Sequence, residues 1–387
     1  MTKLWTRTVR ASCAVLVAAA TLGLVTRADV LPEDRADVMY HRYEGGGVTV
    51  EGPSVLVRKK IGDSFSASYQ YYLDLITSAS IDVLSQASKY KERRTEHHVG
   101  LDYLHGNTLY SVGWINSNEP DYKSNTGFFN ISQSMFGDLT TVSFGFSRGW
   151  DKVYEHAPPV EIFKGDADHR TWTLGLSQVL TRNLLLGINY ETSENAGYLQ
   201  SPYRQIRFVD NNTGRVTFGP ATTPNTRTGN AVSAQAKYYL PWHAAVDANY
   251  RYYTDTWDIQ AHTIRLGYTQ PWHAWTFDAS ARYYRQTAAD FYSDVFPFEN
   301  AQNFESRDRE LAQFHSLTLG VGAAWEFKPT WPSFIQKGTV NADFQHMRID
   351  YDDFRNELVD LPNQNPSAEP LYSYGANIMQ FFISVWY

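Results

Sequence analysis

The chain has 387 residues, with 41 acidic against 34 basic side chains and a formal net charge of −7. That balance argues against nucleic acid as a partner, because nucleic acid selects a basic surface. A single cysteine excludes a disulfide scaffold. Outside the N-terminal segment no run approaches eighteen consecutive apolar residues, which excludes a polytopic helical membrane protein.

The N-terminus differs from the rest. Lys3, Arg7 and Arg10 precede the apolar run "ASCAVLVAAATLGLV" (11–25), and "TRA" (26–28) offers a cleavage point after Ala28. This predicts a cleaved secretory signal peptide over 1–28 and one domain over 29–387; an uncleaved anchor is the alternative. Cys13 lies inside the apolar run and away from the cleavage point, so a lipoprotein anchor is not expected. Cleavage would remove four of the 34 basic residues and none of the 41 acidic ones, making the mature chain more acidic still.

From there the chain alternates at period two. The alternation predicts strands at 37–44, 48–60, 63–76, 95–104, 107–117, 126–136, 138–149, 169–180, 183–193, 230–240, 244–254, 260–270, 273–286, 311–327, 338–350 and 372–387. In "SFSASYQYYLDL" (64–75), Phe65, Ala67, Tyr69, Tyr71, Leu73 and Leu75 share one face, and Ser66, Ser68, Gln70, Tyr72 and Asp74 the other. Soluble sandwiches alternate too. Here, however, the polar faces carry charges at mid-strand, and the apolar faces often end in Tyr or Trp. A membrane barrel needs both features: a wet interior and aromatic girdles at its two interfaces. The expectation is an all-β, transmembrane, antiparallel up-and-down β-barrel of about 16 strands, with short periplasmic turns and long extracellular loops.

The joins carry the sidedness. "KIGD", "HGN", "GD", "TRN" and two Pro-Trp-His triplets (241–243 and 271–273) are tight, with only 328–337 longer on that side. The joins between them are mostly longer, as at 77–94, 150–168, 194–229, 287–310 and 351–371, with 45–47 a short exception. Proline sets φ for a turn, and tryptophan suits a membrane boundary, so both triplets read as periplasmic turns. A metal site at His243 and His273 lacks the three or four converging ligands that zinc requires. An internal repeat has little support, because the triplet does not extend to other hairpins. The C-terminal "MQFFISVWY" (379–387), with Phe381, Ile383, Val385 and Tyr387 at two-residue steps, resembles the terminal strand read by the barrel-assembly machinery.

The candidate lumen charges are Lys237, Asp247, Arg251, Arg265, Asp278 and Arg282. They could line an eyelet that sets ion preference, or form cross-strand ion pairs that prop the wall. The loop 77–94, with Lys89, Lys91, Arg93 and Arg94, could constrict the mouth or meet lipopolysaccharide phosphates; the other reading is a solvated loop. The acidic stretch 349–360, with Asp350, Asp352, Asp353, Glu357 and Asp360, lacks the spacing and glycine of an EF-hand and reads as a solvated loop. No His-Glu-x-x-His appears, and the Gly-x-Ser-x-Gly at 145–149 falls inside the alternating strand 138–149 and not at a strand-to-helix turn, so catalysis is not expected, nor is a cofactor or metal.

Three stretches carry a resemblance: "SASIDVLSQASKYKERRTEHHVGLDYLHGNTLYSVGW" (78–114), "NEPDYKSNT" (118–126) and "FGDLTTVSFGFSRGWD" (136–151), with "SRDREL" (306–311) beyond them. They resemble the bacterial outer-membrane family known as domain of unknown function 3570, with Glu119-Pro120-Asp121-Tyr122 where that family has Glu-Asn-Asp-Tyr. The resemblance implies an outer-membrane location and no established activity, and such members are similar in often being encoded near small lipoproteins and redox proteins. The expected function is a channel for small polar solutes in a Gram-negative outer membrane, with both mature termini periplasmic. The alternative is a non-conducting scaffold for a periplasmic or surface complex with a redox or lipoprotein partner. Outer-membrane lipid, lipopolysaccharide and the barrel-assembly machinery are the other expected partners.

Overall fold

A computed structural model describes residues 30–78, 90–157, 160–359 and 366–387. The predicted signal peptide and Cys13 lie outside the described residues. Sixteen strands close one antiparallel barrel. In chain order they are β1 (Arg35–Gly45), β2 (Val48–Ile61), β3 (Phe65–Ser78), β4 (Tyr90–His105), β5 (Thr108–Asn118), β6 (Tyr122–Met135), β7 (Thr140–Ala157), β8 (Val160–Thr181) and β9 (Leu184–Gly197). After a small hairpin of β10 (Gln205–Val209) and β11 (Val216–Pro220), the barrel continues with β12 (Thr226–Tyr239), β13 (Ala245–Asp255), β14 (Gln260–Trp272) and β15 (Trp275–Gln286). It ends with β16 (Phe314–Phe327), β17 (Lys337–Arg355) and β18 (Leu371–Trp386). Each barrel strand pairs with its chain neighbour, β9 pairs with β12, and β18 closes on β1 in a register running from Arg35↔Trp386 to Gly45↔Ala376. Closure leaves the barrel sheet without an open edge, which is the condition for crossing a bilayer with strands.

Period two then sorts the side chains. Val99, Leu101, Leu176, Ile188, Leu266 and Phe381 stand exposed on the outer face. So large an apolar surface would be a liability in water and suits lipid. At the rim of short turns, Trp242, Trp272, Trp275 and Trp325 form a girdle, and the Trp242 indole N–H donates to the Tyr268 hydroxyl at 3.3 Å. At a higher level Trp114 stacks on Trp150 with ring centres 5.7 Å apart. Both Pro-Trp-His triplets sit on the short-turn rim, and each puts its histidine in the left-handed region, at φ 65° for His243 and 55° for His273. The first barrel strand begins and the last ends at this same rim, since Arg35 faces both Trp386 and Arg58.

The strands overrun the predicted ends chiefly at the opposite rim. Residues 150–157 and 160–168, expected in a loop, continue the β7–β8 ladder past a bulge at Val153/Tyr154. Lys91, Arg93 and Arg94 likewise belong to β4 and not to a loop, because Asp74 on β3 supplies Arg94 with a partner directly across the ladder. Residues 79–89 lie outside the described residues. A barrel has no central core. The buried apolar residues gather instead at the long-loop mouth, in three clusters around Met347–Phe354, Trp257–Phe291 and Ile206–Phe296.

Candidate functional site

Register places all six predicted charges on the face opposite the exposed apolar band, the lumen wall. Lys237 faces Asp247 across β12–β13, and Arg265 faces Arg282 across β14–β15. The Arg265 guanidinium donates to Asp247 at 3.1 Å, and Arg251 reaches Glu191 on β9 at 3.0 Å. Asp278 accepts the Thr269 hydroxyl at 2.5 Å. Arg282 lies over the Tyr284 ring at 5.2 Å. Below the arginines a cavity of about 210 Å³ is lined by Asp247, Arg265, Thr269, Asp278, Asp343 and Gln345. Two glycines make room for its carboxylates. A Cβ on Gly267 would lie 2.2 Å from Asp247 Oδ1, and one on Gly322 would lie 2.3 Å from Asp343 Oδ1. Sequence reasoning missed Glu191, Asp343 and Gln345; the signal for Glu191 was its alternation with Leu186, Ile188 and Tyr190.

The outer third of the lumen on the β1–β9 side carries two further networks. Asp74, wholly buried, takes His41 Nε2 at 2.6 Å and the Arg94 Nε–H at 2.7 Å. Asp151 takes the Tyr122 hydroxyl and stands 2.9 Å from His169 Nε2, whose Nδ1 lies 2.8 Å from Asn195 Oδ1. Burying a carboxylate is costly unless it is paired in this way.

On the other side the mouth is covered. The β10–β11 hairpin, the segment 287–313 and residues 356–359 and 366–370 between β17 and β18 fold together. Arg207, 4% exposed, donates bidentately to Glu369 at 2.9 and 2.6 Å and stands 3.4 Å from Glu357. Arg307 reaches Asp294 at 2.9 Å and Glu357 at 3.2 Å, over the Phe354 ring at 4.4 Å. Arg204 pairs with Asp308 at 3.0 Å. Met347, Ile349, Tyr351 and Ala376 on the wall pack against Ala312 beneath this cap. The expected solvated loop at 349–360 is therefore corrected. Residues 349–355 are strand, and Glu357 is a buried counter-ion between two arginines. The sequence could not show this, because Glu357 reads as solvated until the hairpin lands on it. Asp360 lies outside the described residues. The "SRDREL" stretch is part of the cap's interior, with Ser306, Arg307 and Arg309 all buried.

Electrostatics in the cap follow from burial and pairing. Burial pulls the Arg207 guanidinium down, but the Glu369 hydrogen bonds and the Glu357 charge outweigh it, and its pKa is raised. Burial, with Asp353 and Asp294 nearby, pushes the Tyr292 hydroxyl well up. Asp353 is pushed up to about 6, first by burial; hydrogen bonds from the Gln313 N–H oppose the shift and Asp352 adds to it. β17 runs 19 residues where about 9–11 cross a bilayer, so Asp353 lies beyond the spanning part.

A closed sixteen-stranded barrel with an apolar outer face, a charged lumen and a loop-packed mouth is a β-barrel of the outer-membrane type. Over residues 84–346 the chain matches the family described as protein of unknown function, DUF3570, and it belongs to that family. No curated protein matches the sequence. Among solved structures, a bacterial polysaccharide outer membrane secretin is similar at a TM-score of 0.50 and 8% identity, over 92% of this chain and 100% of that one. Outer-membrane expressed OmpT of Vibrio cholerae is similar at 0.42 and 10% identity, over 93% and 100%. The first of these likenesses shows the fold.

Proposed function

We propose that this protein is a Gram-negative outer-membrane channel for small polar solutes, capped on its outer mouth, without catalytic activity and with both mature termini in the periplasm. The observation that supports the reading is the lumen itself. Wall side chains alone do not fill sixteen strands, and the charged wall of β13–β17 retains a cavity of about 210 Å³ below the cap. A purely structural barrel has no use for unfilled, charged space. The barrel-assembly machinery and lipopolysaccharide are the partners that this location implies. The test is uptake of erythritol into liposomes carrying the full chain or a variant lacking 205–220. Faster swelling with the variant supports a capped channel; swelling by neither overturns the reading.

One observation favours the scaffold alternative. The longest connection of the short-turn rim exposes Trp331 (84%) and Phe334 (66%), an apolar tip suited to a periplasmic partner. Under that reading, removing 205–220 leaves the liposomes tight, while Trp331→Ser and Phe334→Ser together release the partner.

A further inference from the structure

The two Pro-Trp-His turns introduce more than a shared punctuation. The strand leaving each carries the same seven-residue pattern, Asp-Ala-x-x-Arg-Tyr-Tyr: Asp247–Tyr253 on β13 and Asp278–Tyr284 on β15. In both copies Asp, Arg and the second Tyr point into the lumen, and each guanidinium lies over that tyrosine's ring, at 5.4 Å for Arg251 and 5.2 Å for Arg282. The barrel's stagger sets the copies two residues apart, so Arg251 is level with Tyr284 through Thr263, and Arg282 with Asn249 through Arg265. Three arginines from three adjacent strands thus share one patch of wall.

Their compensation is unequal. Arg251 has Glu191 and Arg265 has Asp247. Arg282 is half-buried and faces Arg265 on one side and Thr318 on the other. Among the described residues no carboxylate reaches it. Like charges directly opposite each other on a sheet are destabilising, and a part-buried guanidinium is rarely left without an anion. Stacking on Tyr284 occupies the flat face of Arg282 and leaves its N–H edge free. That edge is the fork that meets an oxyanion with two parallel hydrogen bonds.

We infer that the repeated Asp-Ala-x-x-Arg-Tyr-Tyr pair builds an oxyanion-binding site on the lumen wall, centred on Arg282 and flanked by Arg265 and Arg251, that takes small solutes bearing a carboxylate or phosphate. The inference deepens the channel reading and rests on it for the route by which such solutes arrive; binding itself needs no conduction.

The experiment therefore separates binding from passage. The full chain, refolded in detergent, is titrated calorimetrically with succinate and with inorganic phosphate, and the same protein in liposomes is tested for erythritol uptake. Binding of either anion is expected, and succinate without phosphate, or the reverse, identifies which oxyanion the site prefers. Arg282→Gln should weaken binding about tenfold or more, as loss of a charged hydrogen-bond pair does, and Arg282→Lys should recover only part of it. Thr318→Asp places an internal carboxylate across from Arg282. It should abolish binding while leaving the barrel as heat-resistant as the wild type or more so, which covers the case of a Gln variant that fails to fold. Erythritol uptake without anion binding leaves the channel standing and overturns the site. Anion binding without uptake keeps the site and overturns the channel. Binding unchanged by both Arg282→Gln and Thr318→Asp overturns the assignment to Arg282.

Discussion

At the scale of single residues, the cap depends on charges that have no meaning one at a time. Arg207 and Glu369 are 162 residues apart and buried together. Removing one partner leaves the other charged and desolvated, a cost of about 3–5 kcal/mol. Glu369→Ala should therefore speed amide exchange in β10 and β11 on the order of 100-fold, at about 1.4 kcal/mol per decade, with the barrel strands unchanged. Equal protection in the variant would show that the apolar contacts of Ile206 and Phe208 hold the hairpin alone. Asp353 sets a pH dependence whose sign can be worked out. Its folded pKa is raised to about 6, so the folded cap prefers the neutral acid. The stabilisation is full below the ordinary carboxylate value and is lost as pH rises through about 6. Asp352 and Asp294 are the charges beside the group, and the Tyr292 hydroxyl donates to its backbone carbonyl at 3.4 Å. Acidifying from pH 7 to 5 should raise the protection factors of the Gln313 segment, taken relative to the intrinsic exchange rate at each pH, and Asp353→Asn should hold those factors constant across the range; a wild type whose protection falls on acidification would reverse the assignment. None of these partners was legible in sequence. Alternation assigns a face to a residue, but it does not bring position 207 to position 369.

At the scale of elements, the strands were legible because their signal is local. A period of two, with charges confined to one face, marks each crossing without knowledge of its neighbours. The strand ends were less legible, since beyond the bilayer the outer face need not be apolar and the alternation fades. Hence 150–157 and 160–168 read as loop although their ladder continues. The repeated Asp-Ala-x-x-Arg-Tyr-Tyr stands in the letters, but only register puts both copies on the same wall. The closing strand tests how far local signal extends. Trp386 pairs with Arg35 and lies under Lys337 at 4.7 Å, while the Tyr387 hydroxyl donates to the Arg58 carbonyl at 2.9 Å. These two residues tie β18 to β1 and β2 at the rim where the barrel closes. Deleting both should sharply reduce the heat-modifiable species in outer-membrane fractions. Normal accumulation of the truncated chain would mean that Phe381 and Ile383 suffice for assembly.

At the scale of the whole molecule, what matters is that the two rims differ. The short-turn rim holds the start of β1, the end of β18, the girdle of Trp242, Trp272, Trp275 and Trp325, and turns as small as His273-Ala274. The other rim holds the cap. Turn lengths made this sidedness readable in sequence, whereas the cap's inward fold was not, because it depends on which loops meet. Barrels of this type keep short turns toward the periplasm, so the cap should face outward, and one measurement decides it. The tip of the β10–β11 hairpin, Asp210–Gly214, is exposed and held by its own turn, with Asp210 Oδ1 accepting from the Asn212 and Thr213 N–H groups at 2.8 Å. A protease site inserted after Asn212 lengthens a turn that contributes nothing to the Arg207–Glu369 pair, so the cap should tolerate it. One inserted at Arg182, between β8 and β9, lies on the opposite rim. Protease added to intact cells should cut the first and spare the second until the outer membrane is breached. Cutting at Arg182 alone would put the cap in the periplasm, and the same ionic closure would then guard the inner mouth of the lumen.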